Sequence, residues 1–171
     1  MGNIIEKCCG ARKCRITILG LDVVAAKKLF EKMAKINVVD STHVQHFSES
    51  IKKYNVSTTL VYVPAGERLV NIWNAEALHS DGVIYVVDKK ESDDSLSPIP
   101  QLEDLFSNVI ENGDNFLLVV VRNGEKLTDD ELKMVCDFNK EKALVIGCDS
   151  EFESKLEKGL EWLYAKIKSN L

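Results

Sequence analysis

Residues 15–28 read RITILGLDVVAAKK, and the fold turns on how this stretch is divided. Arg15 to Leu19 form a β-rich run, Gly20-Leu21-Asp22 makes a break, and the residues that follow lead into a helix-like segment. Strand, turn and helix in that order open an α/β sheet, and ligands on such sheets sit at the carboxyl ends of the strands, where this turn falls. A phosphate-binding loop, G-x-x-x-x-G-K-[S/T], would stand at the same place. Aligned on Gly20, however, its closing glycine, lysine and hydroxyl become Ala25, Ala26 and Lys27, with Lys28 next.

The same alternation continues along the chain. STTLVYV (57–63), GVIYVVD (82–88), FLLVVV (116–121) and ALVIG (143–147) are further β-rich runs. Apart from STTLVYV, which alternates in part and is expected nearer an edge, the runs are almost continuously apolar, as parallel strands buried on both faces require. Helices come between them. Thr128 to Glu131 and Ser150 to Glu153 fit the capping box. Phe152, Leu156, Leu160, Leu163 and Ile167 share one helical stripe, and Leu102, Leu105, Phe106, Val109 and Ile110 share another that ends near Gly113. The pattern predicts an α/β doubly wound sheet, with no linker or internal repeat to divide it.

The 171 residues, 45% hydrophobic and 29% charged, suit one domain with one core. A net charge of −5 and a pI near 5.3 argue against nucleic acid as a partner. The first 15 residues hold four basic side chains against one acid, a net +3, so the rest carries −8. A basic leader on an acidic body suits a membrane-facing terminus. Five cysteines, and no apolar run near the roughly 18 residues of a bilayer span, predict a reduced cytosolic protein. Cys8, Cys9 and Cys14 lack a fourth ligand for zinc, and Cys136 and Cys148 read as packing residues.

Five stretches, MGNII at the start, RITILGLD, NIWNAEALHSDGVIYVVD, FLLVVVRN and GLEWLYAKI, together resemble the ADP-ribosylation factor (Arf/Arl) family of small GTPases in order and spacing. The resemblance implies a Ras-like P-loop G-domain over residues 14–171, a mostly parallel six-stranded sheet with helices on both faces, behind an anchor segment over 1–13. It also implies GTP or GDP with magnesium, effectors on the switch and interswitch surfaces, and work in vesicle trafficking. Carried over position by position, the chemistry departs from the pattern. Gly20 and Asp22 remain, while Ala25 and Ala26 replace the glycine and lysine of the phosphate loop. Lys27 falls where the magnesium-binding hydroxyl belongs and reads as a surface lysine beside Lys28. The first switch's metal-binding threonine corresponds to His43, with Thr42 adjacent. The second switch, D-x-x-G-Q, corresponds to Tyr62-Val63-Pro64-Ala65-Gly66, so a phenol, an alanine and a glycine stand for metal, γ-phosphate and water-positioning groups. In the guanine-reading motif Arg122, Asn123 and Glu125 replace Asn, Lys and Asp, and the last nucleotide loop corresponds to Asp149, Ser150 and Glu151. The family's effector-reading aromatic positions become His46, Val61 and Glu76.

Losing several charge-assisted bonds of roughly 1.5–3 kcal/mol each removes about 6–10 kcal/mol. Picomolar binding corresponds to about 16 kcal/mol, so micromolar affinity or weaker would remain. No catalytic residues and no bound cofactor are therefore expected. The function expected is a membrane-associated, protein-binding regulatory module, a pseudoGTPase. The alternative is an atypical GTP/GDP switch that uses Lys27, Glu125 and backbone amides. Gly2 is the acceptor position for N-myristoylation, although Glu6 replaces the usual hydroxyl. Cys8 and Cys9, flanked by Lys7, Arg12 and Lys13, supply a palmitoylation site and a basic patch, the second signal that stable anchoring needs. The expected location is the cytosolic face of a membrane. Trp73 and Trp162 read as packing residues and His79 as a polar loop residue.

Overall fold

The structure, a computed structural model, describes residues 13–38, 46–65, 70–88, 99–122, 140–147 and 152–171, with 130, 133 and 137. Six strands form one sheet: β1 (Lys13–Leu19), β2 (Phe47–Lys53), β3 (Val56–Tyr62), β4 (Gly82–Asp88), β5 (Phe116–Arg122) and β6 (Ala143–Gly147). Their order across the sheet is β2-β3-β1-β4-β5-β6, parallel except for the antiparallel β2–β3 pair. Among the described residues the helices given with bounds are α1 (Val23–Ala34), α2 (Val70–Leu78), α3 (Ile99–Leu105) and α4 (Phe152–Asn170). The sheet is that of a Ras-like G-domain, with the alternating order predicted from the apolar runs.

Continuous apolar runs become central strands. β4 and β5 are buried at every position but the last, because helices lie on both of their faces. One core joins α1 and α4 to the sheet through Leu29, Phe30, Leu156, Leu160 and Leu163. The other joins α2 and α3 through Trp73, Ala77, Leu102 and Leu105. Both helical stripes read from the sequence are inward-facing, with Phe152 alone only half buried. After α3 the chain widens into a π turn over Phe106–Ile110, closed by the Glu111 N–H donating to the Phe106 carbonyl at 2.9 Å. This keeps Phe106, Val109 and Ile110 all on the sheet.

The edges differ from expectation. β6, read as a buried run, is an outer strand and only Ala143 in it is fully buried. The other edge is β2, FSESIKK, which none of the five apolar runs contained; its mixed charges protect an open edge. STTLVYV lies one strand in from that edge. β2 and β3 are joined by a two-residue turn in which Tyr54 (φ 49°) and Asn55 (φ 62°) are both left-handed, the type I′ geometry of tight hairpins.

Candidate functional site

The site to test is the carboxyl end of β1 and its neighbours, beneath the start of α1. In G-x-x-x-x-G-K four residues loop between the two glycines so that backbone amides turn inward on phosphate. Here α1 already begins at Val23, which leaves only Leu21 and Asp22 between Gly20 and the helix. The Asp22 carboxylate is the N-cap: its Oδ1 accepts from the Ala25 N–H at 2.7 Å, and its carbonyl accepts from the Ala26 N–H at 3.1 Å. The amide at the closing-glycine position is thus turned on the chain's own carboxylate. Val23 and Val24 project into solvent, 40% and 52% exposed, where a loop would wrap a ligand.

The retained glycine has a packing reason. Gly20 has no positive φ, but a Cβ there would meet the Val86 carbonyl oxygen at 2.7 Å and the Ala26 Cβ at 3.4 Å. Ala26, in the lysine position, is fully buried, and Ala25 is 3% exposed. Ala26 therefore packs as core, whereas Ala25 borders the cavity described below. Lys27 is half-buried and Lys28 exposed on the helix that follows.

Tyr62 occupies the place of the second switch's acid. Its ring is buried, stacked on Phe47 at 5.9 Å and tilted against Phe30 at 5.8 Å. Its hydroxyl donates to the Val23 carbonyl at 3.1 Å, tying the first turn of α1 to β3. Val63 is buried behind it, and Ala65 is half-buried in the segment after the strand.

Farther along the same edge, Ala25, Lys28 and Arg122 line one cavity of about 130 Å³ with Lys32, Phe152 and Glu153. Sites for small ligands run to roughly 300–1,000 Å³. Arg122 pairs in register with Asp88 on β4, its Nε 4.0 Å from the carboxylate. Lys32 pairs with Glu153 and lies 5.8 Å from the Phe152 ring centre, so α1 and α4 are bridged across the opening. The described residues do not reproduce a cradle for magnesium and a triphosphate. Among them no group of three or more metal-ligating side chains occurs.

The predicted positions therefore separate. Gly20, Asp22, Ala25 and Ala26 belong to the strand-to-helix joint, while Lys28 and Arg122 belong to the cavity beside it. Gly2, Cys8, Cys9, His43, Asn123, Glu125 and Ser150 lie outside the described residues, as do Cys136 and Cys148. Cys14 is buried on β1 with its Sγ 3.3 Å from Thr58 Oγ1, and burial pushes its thiol pKa up, away from the thiolate a metal requires. Trp73 is buried, Trp162 half-buried with its ring edge-on to Phe116, and His79 exposed, each as read from the sequence. Two features carried no signal in the sequence reading, the helix-capping role of Asp22 and the aromatic stack around Tyr62. An N-cap aspartate three residues before an amide donor is a recognisable local pattern; the stack needs the β2–β3 register.

The profile of the ADP-ribosylation factor family matches residues 1–167. Among solved structures, the Arl6 (BBS3) small GTPase of Trypanosoma brucei, described with bound nucleotide analogue GppNp, superposes with a TM-score of 0.63 at 15% identity, covering 92% of this chain and 98% of its own. A bacterial selenocysteine-specific elongation factor, EF-Sec, superposes with a TM-score of 0.61 at 15% identity over 90% of this chain. This chain spans 29% of that longer protein.

Proposed function

We propose that this chain, which belongs to the ADP-ribosylation factor family, works as a protein-binding regulatory module that has given up tight guanine-nucleotide binding. The observation that carries the reading is the start of α1 at Val23, with Asp22 capping the helix and no loop left to cradle phosphate. Burial of Ala26 and the Tyr62 stack support it, because both fill space that a lysine and a hydrated metal would need. With the phosphate, metal and water-positioning groups all replaced, tight binding loses about 6–10 of some 16 kcal/mol. Hydrolysis loses the groups that would activate water.

In this reading the protein acts by holding partners on the switch and interswitch side of the fold, in vesicle trafficking or a related membrane process. Anchoring through Gly2 and either Cys8 or Cys9 keeps it on the cytosolic face of a membrane, with two acyl signals giving stable attachment.

The decisive experiment denatures the purified protein, chromatographs the released supernatant, and titrates native protein with GDP and GTP plus magnesium by calorimetry. The expected result is no stoichiometric nucleotide and no submicromolar binding. Nucleotide recovered near one per chain would sink the reading and favour an atypical switch. For the anchor, Gly2→Ala and the double change Cys8→Ser with Cys9→Ser are expected to release the protein from membranes on fractionation. Retention of both variants on membranes would overturn it.

A further inference from the structure

A groove of about 450 Å³ opens between the end of α1, the end of β2 and the face of α4 that meets them. Its volume falls within the roughly 300–1,000 Å³ of small-ligand sites. Leu156 and Leu160, both buried, and the half-buried Met33 and Ile51 give it an apolar floor. Its charge is one-sided: Lys32, Lys35, Lys52 and Lys53 line it against Glu157 alone. The whole chain carries −5, so this groove runs against the average of the surface.

Two of the four lysines are already matched. Lys32 pairs with Glu153, and Lys53 Nζ approaches both Glu157 oxygens at 3.2 Å. Lys35 and Lys52, both exposed, make no ion pair among the described residues. Lys35 also closes α1 in the left-handed conformation (φ 56°), where glycine is the ordinary residue, so a cation stands at a position that backbone strain would give to another side chain. The groove lies at the amino end of the sheet. Lys13, where the segment carrying Gly2, Cys8 and Cys9 joins β1, is level with Ser57 on β3, and Ser57 with Lys52 on β2. Two strand spacings separate Lys13 from Lys52, about 10 Å. Four residues separate Cys9 from Lys13 and span at most about 14 Å.

We infer that the groove between α1, β2 and α4 binds the phosphate of an anionic membrane-lipid headgroup. The phosphate oxygens accept from the Lys35 and Lys52 ammonium groups, the two cations that lack a carboxylate. The apolar floor lies beneath them, against the less polar part of the lipid. A headgroup is favoured over an acidic protein segment by position: an acyl chain on Cys9 would hold Lys13 within about 14 Å of the bilayer surface, and the groove opens at that end. The inference rests on the anchoring proposed above for the direction in which this end faces, and it adds a contact made by the folded domain itself.

The test sediments the full chain, without acyl groups, with phosphatidylcholine vesicles that contain or lack phosphatidylserine. Binding to the phosphatidylserine vesicles alone is the expected result. Lys35→Gln with Lys52→Gln should weaken it about twentyfold, roughly fivefold for each lysine close to an anionic surface. The control pair Lys133→Gln with Lys140→Gln makes the same charge change at exposed positions before β6, the opposite edge of the sheet, and should leave binding nearly unchanged. Equal losses in the two pairs, or equal binding to both kinds of vesicle, overturn the inference. Release of the chain by micromolar glycerophosphoserine would make the ligand a soluble phosphate, and release by micromolar acetyl-Glu-Leu-Glu-Leu-amide would make it an acidic protein segment; either result overturns the membrane assignment. Because no acyl chain takes part, failure here is distinct from failure of the Gly2, Cys8 and Cys9 variants to leave membranes in cells.

Discussion

The two ends of the sheet have divided polar and apolar work in opposite ways. At the carboxyl end of β1, where the family's fold would face a ligand, the contacts are mainly shape: Gly20 against Val86, buried Ala25 and Ala26, and Tyr62 between Phe30 and Phe47. At the amino end they are polar and specific. Arg15 pairs with Glu76 at 2.7 Å while its own N–H donates to Asp81 at 2.7 Å. Thr17 and Ser80 share a hydrogen bond of 2.6 Å, and the Tyr164 hydroxyl donates to Thr58 at 3.0 Å inside the core. Burial pushes the Tyr164 phenol up to about 12, so it stays a neutral donor across the working range of pH. Among the described residues, the joint between β1 and α1 packs largely as core, whereas the opposite end of the sheet is tied by side-chain hydrogen bonds.

The comparison breaks if restoring family residues at the ligand end is harmless. Tyr62→Asp, which returns the second switch's acid, removes a ring buried between two others and leaves a carboxylate in its place. We expect a loss of about 4 kcal/mol or more in urea unfolding; a small loss would mean that water reaches this position and the end is a site after all. Gly20→Ala places a methyl group 2.7 Å from a backbone oxygen that cannot rotate away, with an expected cost of about 2 kcal/mol in the same assay. Asp22→Ala removes the N-cap of α1, and about 1 kcal/mol should be lost. If nucleotide affinity rather than stability falls in that variant, Asp22 serves a ligand and not the helix.

Legibility in the sequence follows the same division. Buried strands β1, β3, β4 and β5 and the stripes of α3 and α4 could be read because burial on a fixed period leaves a pattern that neighbours in sequence reveal. β2 could not, since an edge strand's Glu49, Lys52 and Lys53 are chosen for solvent and erase the alternation. Substitution at Ala25, Ala26 and Tyr62 was visible as lost chemistry. What replaced it was not. The shortened loop depends on Asp22 capping the helix, and the plug depends on Phe47 pairing with Tyr62 across two strands.

The smallest expected effect concerns the clamp that holds the β2–β3 hairpin at the polar end. Tyr54, bulky and left-handed, is a costly choice for a tight turn, and its contacts give the reason for it. Its ring lies 5.1 Å from that of Tyr164, and its hydroxyl donates to Glu157 Oε2 at 2.8 Å, while Lys53 Nζ approaches both carboxylate oxygens at 3.2 Å. The Tyr54 hydroxyl lowers the Glu157 carboxyl below its ordinary value of 4.5; burial opposes this, and Lys53 and Lys32 add further lowering. A carboxyl lowered in the folded state contributes stability that is complete above its unfolded pKa and disappears as pH falls through the folded one. Glu157 is 55% exposed, so solvent screening keeps the contribution of the pair within about 0.5 kcal/mol. Tyr54→Phe keeps the ring contact and removes only the donor. Its deficit relative to the natural chain should be measurable at neutral pH, shrink once the pH drops below the ordinary glutamate value, and vanish when Glu157 is protonated. A deficit that is unchanged at low pH would locate the cost in the left-handed turn instead of the hydrogen bond, and the hairpin would then be held by ring packing, as the ligand end is.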